Sequence, residues 1–419
     1  MTQTTLLAPG VQLHVLLCRN FKHGCLSLQF IQPLSPETSA MNALLPTVLL
    51  RGCRGAEDLR AITARLDALY GAGMSTLVRR VGDIQTTGLY CSFLEDRFVN
   101  EPLLGQMVDF LSQVLLEPLT ENGGFREDFV ESEKKNLIAT IEAELNDKRS
   151  YATTQMIRSM CAQDSFRLPR LGTVEEVAAI TPQGLYQQYQ KLLSSAPVHI
   201  FYVGAAPIET VARLLRPLFS RRQTVGPLPS QTHFHPQLPP QTIKEQMDVV
   251  QGKLCMGFTT PIEQDNPLFV PMQLLVSIYG GSTAVNKLFM NVREKLHLCY
   301  DIGAGYYGTK GILVVSAGTD TSQMDSARQE ILRQLQLCRE GSITEKELSA
   351  AKQALCAGLR AVTDSVGAME SYYATASLSG LNMTPAEYRA AIENVTLEQV
   401  VEAAKTITLH TTYYLEGKV

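Results

Sequence analysis

Apolar positions recur along the chain with two periods, and the switches between them outline its organisation. In residues 57–70, Leu59, Ile62, Leu66 and Leu69 fall at three- and four-residue spacing and Gly71 and Gly73 end the run, which predicts a helix. The same reasoning predicts helices over 36–51, 125–148, 266–279, 322–339, 344–360 and 396–406. Strand-like runs occupy 12–17, 25–32 and 254–260, and paired β-rich runs occupy 75–94 and 300–319. One order is read twice: strand, apolar helix, second helix, paired strands, then a helix rich in Leu and Gln. Strands adjoin strands as often as they adjoin helices, so the expected class is α+β. Two homologous domains are expected, each a mainly antiparallel sheet packed with helices. Residues 220–244 carry five prolines in a polar stretch with no apolar period and read as an extended linker. The expected layout is therefore a domain over 1–219, a linker over 220–244 and a domain over 245–419.

Composition narrows the function classes. At 419 residues, 45% hydrophobic and 19% charged, the chain can bury a sizeable core. A net charge of -4 and a pI near 6.0 supply no basic excess for a phosphate backbone, so nucleic acid is not the expected partner. The longest apolar stretch, 41–50, is about half the ~20 residues a membrane span needs and contains Asn42 and Pro46, so no membrane is expected. The first twenty residues lack the pattern of a signal peptide. Nine cysteines, odd in number and without a C-x-x-C pair, suit thiols in a reducing compartment. The expectation is a soluble, cytoplasmic protein.

Several short motifs fail on context. Gly303, Gly305 and Gly308 satisfy G-x-G-x-x-G, and Lys310 extends it toward a phosphate loop, but a strand follows where phosphate binding needs a helix N-terminus. Ser282 has no nucleophile elbow around it. His233 and His235 could ligate a metal, but they lie in the proline-rich stretch with no carboxylate or cysteine nearby. His14, His23, His199, His297 and His410 are isolated in sequence.

The segment from Leu34 to Phe93, LSPETSAMNALLPTVLLRGCRG and onward to GLYCSF, resembles the first domain of the pitrilysin/insulinase-type metallopeptidases, in particular their mitochondrial-processing-peptidase-like branch. In that family an apolar helix carries H-x-x-E-H. Two histidines one turn apart hold Zn²⁺ and the Glu between them activates its water. Counting back from the turn at Arg51-Gly52-Cys53, the five motif positions are Ala43, Leu44, Leu45, Pro46 and Thr47. The resemblance thus puts Ala43 and Thr47 at the ligand positions and Pro46 at the base. The family's third ligand, a Glu on a later helix, matches Thr140, while the Glu seven residues earlier survives as Glu133. No histidine occurs between His23 and His199, so most of the first half cannot supply a His₂Glu site however it is aligned. No metal cofactor is expected. Pro46, if Ser35 caps the helix and Pro36 opens it, falls in the helix interior and deletes a backbone hydrogen bond.

The stretch GGSTAVNKLFMNVREKLHLCYDIGAGY, 280–306, is similar to the family's other functional element, in which an Arg and a Tyr seven residues apart hold substrate at the zinc site. The matching residues are Arg293 and Tyr300, with His297 where the family has Gly. A guanidinium can fork to substrate carbonyls and a phenol can donate to a developing oxyanion. On the residues alone, Arg293 is equally readable as a solvent-exposed helix residue and Tyr300 as a strand-start core residue. By length and degenerate motif the chain also resembles the bacterial members associated with 5-aminopentanol modification of elongation factor P.

Family members without H-x-x-E-H commonly pair with a zinc-bearing paralogue, and some enclose peptides. The resemblance therefore implies a bacterial, non-catalytic subunit lending Arg293 and Tyr300 to a zinc-bearing paralogous subunit that hydrolyses peptides. A homodimeric peptide-binding or scaffold protein is the alternative. A third possibility is a peptidase with an unrecognised metal site built around Cys53 or His23.

Overall fold

The computed structural model describes residues 2–222, 224–234, 239–281 and 283–417. In chain order the first part holds β1 (Thr2–Ala8), β2 (Val11–Leu17), β3 (His23–Pro33), α1 (Ser39–Leu49), α2 (Leu59–Ala68), β4 (Gly73–Val81), β5 (Ile84–Leu94) and α3 (Leu103–Leu116). A small hairpin, β6 (Thr120–Glu121) and β7 (Gly124–Phe125), leads to α4 (Glu127–Asn146), α5 (Lys148–Met160), α6 (Val174–Ala178), α7 (Pro182–Ser195), β8 (Val198–Gly204) and α8 (Ile208–Leu215). The second part holds β9 (Gln241–Met247), β10 (Gly252–Thr259), α9 (Phe269–Gly280), a π-helical segment (Phe289–Lys295), β11 (Asp301–Tyr307) and β12 (Ile312–Thr319). It closes with α10 (Met324–Arg339), α11 (Glu345–Ala361), α12 (Val366–Ser379), α13 (Pro385–Asn394), α14 (Leu397–Thr406) and β13 (Thr408–Gly417).

These elements form two units, both α+β. The first comprises Met1–Glu142, Leu168–Ser230 and Thr363–Leu378, and the second Ala143–Arg167, Gln231–Val362 and Ser379–Val419. The first sheet runs β1-β2-β8-β3-β5-β4 and the second β11-β12-β10-β13-β9. Read from one edge, β4-β5-β3-β8-β2 and β11-β12-β10-β13-β9 are the same topology, since each has three antiparallel pairings followed by one parallel pairing, β8 with β2 and β13 with β9. The chain is an architectural repeat, and β1 is an extra edge strand of the first unit.

The long helix predicted over 125–148 is α4, which ends at Asn146, and a second helix, α5, follows it. Asp147 leaves helical geometry and its carboxylate accepts the Arg149 N–H, which caps α5 and separates it from α4. Helix α1 starts three residues later than Pro36, at Ser39, with no side-chain cap at Thr38, while Pro46 lies inside it as expected.

In the first unit α1, α3 and α7 pack on one face of the sheet through Leu44, Met107, Phe110, Leu111 and Leu185, all shielded from solvent. In the second unit α9, α10 and α14 do the same through Leu274, Leu275, Ile331 and Val400. Each such side chain contributes about 1.5–3 kcal/mol when fully buried. The opposite face is covered by α12 in the first unit and by α5 in the second, so each half of the sequence supplies the covering helix of the other unit.

Candidate functional site

Helix α1 presents the positions that hold zinc in the resembling family. Ala43, Leu44, Leu45 and Pro46 are all buried, and Thr47 turns its hydroxyl back onto the Leu44 carbonyl at 2.7 Å. Thr140 is exposed on α4 and donates to the Asn136 carbonyl at 2.9 Å. A methyl group, a pyrrolidine ring and two self-satisfied hydroxyls supply no imidazole nitrogen and no carboxylate, so these residues do not fit a zinc ion. Glu133, the one acid retained from the pattern, is taken up by Arg51, whose Nη1 lies 3.3 Å from its Oε1, and by the Asn136 amide at 3.2 Å. Among the described residues no group of three or more His, Cys, Asp or Glu is placed to hold a metal ion.

A polar network now holds α1 to the sheet. Pro46 has no N–H to give the Asn42 carbonyl four residues back, and that carbonyl instead accepts the Thr87 hydroxyl of β5 at 2.5 Å. The Asn42 side chain donates to Gln85 Oε1 at 3.0 Å and accepts from Gln188 Nε2 of α7 at 2.8 Å. Gln85 passes its own amide protons to the Ser39 and Arg170 carbonyls. Asn42, Gln85, Thr87 and Gln188 are all buried, and their partners are inside the first unit, which satisfies the rule that interior polar groups be paired. No local pattern marks this network, because scattered amides and hydroxyls on two helices and a strand form no motif.

Arg293 and Tyr300 belong to the second unit. Arg293 lies in the π-helical segment, with its side chain 42% exposed, its guanidinium 4.8 Å from the centroid of the Phe289 ring and its Nε 3.7 Å from Glu294. Tyr300 directly precedes β11 and is 58% exposed, and its hydroxyl donates to Asp320 at 3.1 and 3.3 Å. That hydrogen bond to a carboxylate raises the Tyr300 phenol above its ordinary value, so it stays protonated at neutral pH. His297 between them has φ of +52°, the left-handed conformation for which Gly is the unstrained residue.

The discarded motifs have structural roles. Gly303 and Gly305 lie within β11, and Lys310 is buried against Asp164 at 3.1 Å and the Thr232 carbonyl at 2.8 Å. His233 pairs with Glu263 at 2.6 Å, whereas His235 and Ser282 lie outside the described residues. His14 stacks on Phe201 with ring centroids 4.5 Å apart and meets the His199 ring edge at 5.0 Å. His23 is exposed at the start of β3, His410 is buried in β13, and burial raises the Cys53 thiol.

Residues 179–355 match the family model described as the peptidase M16 inactive domain. A conserved protein from Enterococcus faecalis V583 has the same fold, with a TM-score of 0.93 at 27% identity, covering 100% of this chain and 99% of that one. The chain is thus similar to the M16, or pitrilysin/insulinase-type, metallopeptidases, and the positions of α1 that match their zinc motif hold none of its residues. Among curated relatives it is 26% identical over 410 residues to the probable inactive metalloprotease YmfF of Bacillus subtilis (strain 168), covering 97% of this chain and 96% of that one. It is 25% identical over 194 residues to the uncharacterized zinc protease YmxG of the same strain, covering 45% of this chain and 46% of that one. Among the described residues no helix is long and apolar enough to cross a membrane.

Proposed function

We propose that the chain is the non-catalytic subunit of a heterodimeric, cytoplasmic peptide-processing complex, in which Arg293 and Tyr300 bind substrate beside the zinc ion of a paralogous subunit. One contrast carries the reading. The α1 positions are filled by groups that cannot ligate metal, all but Thr47 of them buried, whereas Arg293 and Tyr300 keep polar ends at the surface, where a second chain or a peptide can reach them. Bacillus subtilis (strain 168) carries both an inactive-type and a zinc-type relative, the two kinds of chain that such a pairing needs. Free cysteines throughout suit the reducing compartment.

In this reading the guanidinium forks to substrate carbonyls or a carboxylate, and the Tyr300 hydroxyl exchanges Asp320 for the substrate oxyanion. The test is hydrolysis of a quenched-fluorescent peptide library by this chain mixed with the zinc-bearing paralogue of the same genome. Neither chain alone should approach the activity of the mixture, and Arg293→Ala should lower the mixed kcat/KM by about tenfold or more. An unchanged rate with R293A, or no activity in the mixture beyond that of the paralogue alone, would sink the shared-site reading. Self-association with peptide binding would then favour the scaffold alternative.

A further inference from the structure

The segment that carries Arg293 is π-helical for seven residues, Phe289–Lys295, with the Leu296 N–H reaching five residues back to the Asn291 carbonyl at 3.2 Å. Such wide turns are rare, carry an energetic cost and occur often at functional sites, so something must hold one in place. Beneath it is a chain of polar side chains. Asn291 Nδ2 donates to the Lys287 carbonyl, four residues back, at 2.9 Å, and also to Gln334 Oε1 of α10 at 3.2 Å. Gln334, almost fully buried, donates in turn to Glu330 Oε1 at 2.6 Å, and Arg333 clamps the same carboxylate with two bonds of 2.8 Å. A side-chain amide on the carbonyl four residues back competes with the backbone N–H that an α-helix would place there, and this widens the turn. Val292, fully buried, fixes one side of the segment, and Phe289 supports the guanidinium from the other.

We propose that Asn291, braced by Gln334 and Glu330, is a positioning residue: it holds the wide-turn register that presents Arg293 at the surface. The proposal rests on the substrate-binding reading of Arg293. Without the Asn291 amide the segment returns toward 100° per residue, which turns Arg293 away from its present direction.

A double-mutant cycle in the peptide-hydrolysing mixture separates this from a general loss of structure. Asn291→Leu should lower kcat/KM about tenfold in the wild-type background and less than about threefold once Arg293 is already Ala. Gln334→Met, which leaves the segment itself untouched, should act in the same direction by about threefold and also vanish with R293A, so it carries the test if N291L does not fold. Equal losses in both backgrounds, or no loss when R293A itself is impaired, would overturn the positioning role and leave the binding role intact. No effect of R293A would overturn both.

Discussion

The two sheets share a strand order but meet their covering helices in different ways. Under α12 the face of the first sheet is polar and titratable. Glu370, fully buried, accepts from Ser27 at 2.6 Å, from Gln29 at 2.9 Å and from both Arg79 nitrogens at 2.7 and 3.0 Å. Beside it His199 meets Ser377 of α12 at 3.2 Å, with His14 against its ring. Under α5 the second sheet is mainly apolar, with Met156 and Met160 over Gly257 and Cys255 and Tyr413 alongside, while Glu245, shared by Tyr151 and Tyr413, and Asp301, 3.6 Å from Arg149, are only partly shielded. Apolar contact tolerates small misfits, whereas a buried charge does not tolerate the loss of its partner. The first unit is therefore the more brittle of the two, and it is also the one whose metal positions have been replaced.

The sharpest way to break this comparison is to remove the Arg79 guanidinium. Arg79→Ala strands Glu370 in the interior and should cost about 3–5 kcal/mol in urea unfolding. Adding Glu370→Gln to it should recover much of that loss.

Acid should act on the same face. Burial pushes His14 down to about 4 and His199 to about 3 from an ordinary 6.5. Above 6.5 both states are neutral and nothing is lost. As pH falls below 6.5 the unfolded chain takes up protons that the folded chain refuses, and stability falls by about 1.4 kcal/mol per pH unit for each histidine until its folded value is reached. Stability curves between pH 7 and 5 should show this slope, and His14→Gln with His199→Gln should flatten it.

At α1, Thr87→Val should cost about 1–3 kcal/mol by stranding the Asn42 carbonyl, and less when Pro46 is Ala, because residue 46 then regains the N–H that serves it. The smallest effect is in the second unit. His297→Gly should stabilise by roughly 0.5–1 kcal/mol, read from the midpoint of unfolding, by relieving the left-handed strain.

Hydrophobic period made the α+β class legible, along with the doubled architecture and most helices and strands. Strands β1, β8, β9 and β13 and helices α5 to α8, α12 and α13 were missed; β9 begins inside the stretch 220–244 read as linker, and α5 continues the polar-apolar character of α4 across one capping aspartate. The replaced zinc positions were readable because loss of imidazole and carboxylate is a matter of residue type. What stands in their place was not readable. The Asn42, Gln85, Thr87 and Gln188 network and the Glu370 clamp join residues up to 343 positions apart, and no local pattern marks such pairs.

The central claim, that the chain contributes to peptide hydrolysis without a metal of its own, is tested most directly by measuring zinc per chain together with peptide hydrolysis, before and after mixing with the zinc-bearing paralogue. The account predicts well below one zinc per chain and no hydrolysis by this chain alone, with a rate in the mixture that depends on Arg293. One zinc per chain accompanied by hydrolysis in the absence of any partner would contradict it.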